Sequence, residues 1–147
     1  MRTFFRSVGV YGVCFQADSL LVIDKGRGPF KGKYDLPGGR LEPEESLADA
    51  LVRECREETG LSVEIVHQLG AFDFFAQWEY QPGIDELLHQ IAILYRVVPR
   101  EGNLAPIVTK ADEDALAAHW TPIGLLSENN SSPTVLQACR WMQRNAG

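Results

Sequence analysis

What this sequence lacks narrows it before any motif is found. It has three cysteines, Cys14, Cys55 and Cys139, odd in number and far apart, with no C-x-x-C pair. That pattern argues against a disulfide framework and a thiolate zinc site, and a reducing cytoplasm is the expected setting. It has no basic excess: 14 Lys and Arg stand against 20 Asp and Glu, for a formal charge of -6. Non-specific nucleic-acid binding, which rests on clustered cations neutralising phosphates, is therefore not expected. No apolar run reaches the roughly 18 residues of a membrane-crossing helix, so no membrane partner is expected. The run Val8 to Phe15 behind Arg2 and Arg6 is short and interrupted by Gly9 and Gly12, and it reads as a buried strand rather than a secretion signal. There is no G-x-S-x-G and no Walker glycine loop, and His67, His89 and His119 show no ligand spacing.

What is present is the composition of one folded domain. The 147 residues, 45% hydrophobic and 23% charged, suffice for a single core, and residues 1–147 are read as one domain. Thr3 to Ala17 and Leu20 to Asp24 read as two strands joined by a turn at Ala17-Asp18-Ser19, hence a hairpin. Lys25 to Lys33 has loop composition. A helix is expected from Ser46 to Thr59, with Ser46 as its cap and Gly60 as its stop. Strands follow over Ser62 to Trp78 and Leu87 to Val98, then an irregular stretch from Pro99 to Asp112, a strand over Ala118 to Ile123 and a helix over Pro133 to Arg144. Strands with a central helix pack most naturally as an α/β/α sandwich around a mixed β-sheet.

The central helix is unusual in where its acids fall. Spaced about 100° apart, Leu47, Ala48, Leu51 and Cys55 make one apolar stripe, with Glu58 near its middle, Glu54 at its flank and Glu57 one step round. Glu54 and Glu58 are like charges one turn apart. Glu57 and Glu58 also sit at the negative end of the helix dipole. A hard divalent cation with oxygen ligands is the simplest partner for such a group.

The surrounding spacing is Gly39, five residues, Glu45, seven residues, Arg53-Glu54-Cys55, one residue, Glu57-Glu58, one residue, Gly60-Leu61. It resembles the box of the Nudix hydrolases at every fixed position. Cys55 stands where that family prefers a larger aliphatic residue, and a buried cysteine keeps the position apolar. The resemblance implies the Nudix sandwich fold and hydrolysis of a pyrophosphate bond in a nucleoside diphosphate linked to another moiety. It implies Mg2+, or Mn2+, held by Glu54, Glu57, Glu58 and the Gly38 carbonyl. It makes Gly39, Glu45, Arg53 and Gly60 structural, with an Arg53–Glu45 ion pair orienting the acids, and relatives often form homodimers.

The base stays open among Asp114, Glu113 and Glu57, the first two lying a few residues ahead of Trp120. Arg27, Lys31 and Lys33 are candidate phosphate contacts, though a charged loop usually serves only solvation. Phe72, Phe74, Phe75 and Trp78 are candidate base-stacking residues, though alternating aromatics in a strand usually fill a core. The substrate is not named by the sequence. A Nudix-like nucleotide sensor or interaction module without turnover is the competing reading, disfavoured because all the box acids are present.

Overall fold

The computed structural model describes residues 1–100 and 115–145. They form β1 (Arg2–Val13), β2 (Phe15–Gln16), β3 (Ser19–Lys25), β4 (Tyr34–Asp35), β5 (Gly38–Arg40), α1 (Leu47–Thr59), β6 (Val63–Gln81), β7 (Ile84–Pro99), β8 (Ala115–Pro122) and α2 (Pro133–Asn145), with a 3-10 turn at Ile123–Leu125. One sheet is mixed, in the order β5-β1-β7-β6. In it β1 runs parallel to β7 from Arg2↔Asp85 to Val13↔Arg96, while β5 and β6 are antiparallel to their neighbours. The second sheet is antiparallel, β2-β3-β4, with β8 on the other side of β3.

Alternation along the strands builds two cores. Val10 and the following Cys14, Leu21 and Val97 point to one side, where Leu51 and Cys55 of α1 meet them. Tyr11, Val13, Leu20, Val22 and Leu94 point to the other, where Val135, Ala138 and Met142 of α2 meet them. Helix, sheet layer and helix thus form the expected α/β/α sandwich. Each fully buried leucine contributes about 2 kcal/mol of burial free energy. Gly12 lets α1 approach: a Cβ there would lie 3.3 Å from Cys55 Sγ and 3.3 Å from Val97 Cγ2.

Local signals hold at the helix ends. Ser46 Oγ accepts the Asp49 N–H at 3.1 Å, and Gly60 stops α1 in the left-handed region at φ 76° with its N–H on the Arg56 carbonyl. Two expectations fail. The hairpin survives only as the short β2–β3 pair, because β1 ends at Val13 and spends its hydrogen bonds on β7 and β5, partners remote in sequence. Ala48 is exposed and Ala50 is buried, so the apolar stripe of α1 is rotated toward Ala50, Leu51, Cys55 and Glu58. Leu47 and Ala50 of the first turn still pack on the core, so the difference is one of angle about the helix axis, and it leaves Ala48 facing solvent.

Candidate functional site

The turn after β4 and the end of α1 meet across one short gap. Gly38 has φ 150° and no room for a side chain, since a Cβ would sit 2.1 Å from the Val10 carbonyl oxygen. The turn is anchored by Gly12 N–H donating to the Pro37 carbonyl at 2.8 Å. That conformation aims the Gly38 N–H at Glu58 Oε1, 2.8 Å away. At Gly39 a Cβ would meet the Glu54 carboxylate, with Cδ at 3.1 Å, so that carboxylate lies directly over bare backbone.

Arg53 organises the remaining acids. Its Nε and Nη2 donate to Glu45 at 2.7 and 2.9 Å, and Nη1 donates to Glu54 at 2.9 Å and Glu57 at 3.4 Å. Nη2 also reaches the Arg40 carbonyl at 3.3 Å, tying α1 to β5. The Arg53 hydrogen bonds and the Glu42 N–H hold the Glu45 carboxyl down at about 2. Glu58 is only 4% exposed. Burial pushes its carboxyl well above the usual carboxylate range, with the neighbouring charges of Glu54 and Asp35 adding to the effect while the Gly38 N–H and Lys25 oppose it. Burial, then Asp35, Glu58 and Glu54, likewise pushes the Tyr11 phenol up. The locus therefore gathers several acidic groups where burial and mutual repulsion oppose their ionisation.

The structure thus gathers Gly38, Gly39, Glu45, Arg53, Glu54, Glu57 and Glu58, with Gly60 ending the helix. Among the described residues it does not close three acids around an ion-sized gap. Arg53 Nη1 occupies oxygens of Glu54 and Glu57, and Gly38 occupies one of Glu58. Asp112, Glu113 and Asp114 lie outside the described residues.

The other candidates are engaged elsewhere or face solvent. Arg27 and Lys31 are exposed. Lys33 Nζ donates to the Glu128 carbonyl at 3.2 Å. Phe74 packs edge-on against Phe30 with ring centres 5.7 Å apart, and Phe72 packs against the α2 core. Trp78 Nε1 donates to Glu86 Oε1 at 3.1 Å. Phe75, 61% exposed, stacks on His89 at 4.3 Å. Sequence reasoning missed Tyr11, Lys25 and Asp35, which face the acids from β1, β3 and β4. Asp35 stands between Tyr34 and Leu36 and looks like an ordinary turn residue, whereas its partners lie at the far end of the chain.

Comparison with known proteins agrees with this geometry. A NUDIX domain model matches residues 3–142. The ADP-ribose pyrophosphatase of Methanocaldococcus jannaschii is 33% identical over 114 residues, covering 78% of this chain and 60% of that protein. The 8-oxo-dGDP phosphatase NUDT18 of Mus musculus is 30% identical over 123 residues, covering 84% of this chain and 32% of that protein. The chain therefore spans 60% of the first relative's length and about a third of the second's. Among solved structures, a MutT NUDIX hydrolase from Burkholderia pseudomallei superposes with a TM-score of 0.72 at 24% identity, over 92% of this chain and 97% of that one. A NUDIX hydrolase from Nitrosomonas europaea superposes with a TM-score of 0.67 at 26% identity, over 95% and 90%.

Proposed function

The chain belongs to the Nudix hydrolase family, and from that premise we propose that it cleaves the phosphate–phosphate bond of a nucleoside diphosphate joined to a further group, as a single domain with a divalent cation, Mg2+ or Mn2+. The observation that carries the reading is the burial of Glu58 against the Gly38 turn, beside the Glu54 carboxylate. A buried acid facing a second acid is costly unless a cation joins them. The donor set fits a hard ion, since Glu54, Glu57, Glu58 and the Gly38 carbonyl offer only oxygens.

A bound divalent ion supplies charge neutralisation for phosphate oxygens and a lowered pKa for water. The protein's part is placement. Glu54, Glu57 and Glu58 would hold the ion, with the Gly38 carbonyl as a further ligand. The two-point grip of Arg53 on Glu45 would keep the acids aligned from behind with the ion bound, provided Nη1 released the oxygens of Glu54 and Glu57 that it now holds. Glu57, the most exposed of the three box acids at 35%, or Glu113 or Asp114, receives the proton of the attacking water. In-line displacement at one phosphorus then leaves two phosphate-bearing products. Arg27, Lys33, Phe74 and Trp78 remain the proposed substrate contacts from the loop and β6.

The relatives' names put ADP-ribose and 8-oxo-dGDP first in a substrate panel, followed by nucleoside triphosphates and nucleotide sugars. Product release should be seen with Mg2+ or Mn2+ and vanish in EDTA. Glu58→Gln should lose at least about 100-fold in rate, the scale of removing a group that holds the catalytic charge, with an unchanged far-ultraviolet spectrum. Full rate in that variant, or an inert wild-type protein across the panel, overturns the reading.

A further inference from the structure

We propose that Asp35 is a positioning residue, which fastens the start of α2 to the Gly38 turn and thereby sets where Gly38 donates to Glu58. This rests on the hydrolase reading for its effect on rate, though not for its geometry.

The strand that delivers the turn is poorly held by its own sheet. β4 has two residues and pairs with β3 only at Ile23↔Asp35 and Asp24↔Tyr34. Its other side is gripped by the segment entering α2: Tyr34 N–H donates to the Asn130 carbonyl at 2.7 Å, and Ser132 N–H donates to the Tyr34 carbonyl at 2.9 Å. Asp35 reinforces this grip through a single oxygen. Oδ1 accepts the Leu36 N–H at 2.8 Å, the Ser132 hydroxyl at 2.8 Å and the Thr134 hydroxyl. Oδ2 faces Lys25 Nζ of β3 at 4.0 Å.

Asp35 is 6% exposed, Ser132 1% and Thr134 3%, so none of these bonds can be replaced by bulk water at little cost. Only Leu36 and Pro37 separate this anchor from Gly38. Leu36 is fully buried and Pro37 is bonded to Gly12, so a shift of Asp35 has no slack in which to dissipate. A carboxylate that merely capped α2 would need no bond to the Leu36 N–H and no counter-charge on β3. Asp35 has both.

The double variant Ser132→Ala/Thr134→Ala removes two donors and leaves Asp35 and the proposed metal ligands in place. In the full chain, with Mg2+ and the best nucleotide of the panel, kcat should fall about 10-fold, the lower end for outer-shell partners, and KM should change less than 2-fold. Amide hydrogen exchange at Gly38 should speed up by a similar factor, a change that simple loss of a helix cap would not produce. In the otherwise unchanged chain Asp35→Asn, which keeps an acceptor for the Ser132 and Thr134 hydroxyls, should retain most of the wild-type kcat and Gly38 protection; Asp35→Ala should lose both. Unchanged kcat and unchanged Gly38 exchange in a folded double variant overturn the assignment. A Gly38 response in a protein that hydrolyses nothing supports the clamp and overturns the hydrolase reading instead.

Discussion

Arg53 and Glu45 are joined at two points, and the same carboxylate accepts the Glu42 N–H at 2.9 Å, so one ion pair fixes both the entry loop and the helix behind the acids. A fork-to-fork pair of this kind is directional in a way that a lysine is not.

This pair gives a pH dependence with a definite sign. Glu45 is drawn down from 4.5 to about 2, so its contribution is present above pH 4.5 and disappears as pH falls through about 2. Glu45→Gln should melt below the wild-type temperature at neutral pH, and the gap should close between pH 4.5 and pH 2. Thermal melts across that range check it; a gap independent of pH means the ion pair is not responsible.

Glu58 predicts the opposite sign. Its carboxyl is raised on folding, so the folded state loses stability as pH climbs above the ordinary value of 4.5, the pH at which the unfolded chain gives up its proton. In EDTA at neutral pH, Glu58→Gln should therefore melt higher than wild type, since Gln keeps the acceptor for Gly38 without the charge. Adding Mg2+ should raise the wild-type melting temperature and leave the variant unmoved. A variant that is less stable in EDTA contradicts the picture of an uncompensated buried acid.

Adjacent glycines should separate stability from activity. Gly38→Ala forces a Cβ to 2.1 Å from a backbone oxygen at a left-handed φ, and should cost about 3 kcal/mol or more. Gly39→Ala meets only the end of the Glu54 side chain, so the fold should persist while hydrolysis drops about 10-fold or more as that carboxylate is displaced. Denaturant melts beside initial rates distinguish the two; equal loss of stability in both would refute the contrast.

Much of the site was readable because its determinants are local. Ser46, the acids of α1 and Gly60 lie within one helix and its caps, where spacing alone gives orientation, and the burial of Glu58 follows from its place on the apolar stripe. The Arg53–Glu45 pair, implied by the resemblance to the Nudix box, is present. The additional reach of Arg53 to Glu54 and Glu57 depends on rotamers that spacing does not define. What stayed hidden is non-local: the parallel pairing of β1 with β7, and Asp35, whose hydroxyl partners are 97 and 99 residues away. Ala48 faces solvent because the buried face is centred nearer Leu51 and Glu58 than the apolar residues alone imply: spacing gives relative angles, and the packing against the sheet decides which of them turns inward.

Cys55 sits one residue past Glu54, 1% exposed, beneath Gly12 and in the same core as Cys14. Burial raises both thiols, Cys14 to about 12, so neither reacts while α1 lies on the sheet. The helix carrying the acids thus has a built-in chemical clock: the rate at which an alkylating reagent reaches Cys55 counts how often that helix lifts away, and any nucleotide or ion that pins it down should slow the count.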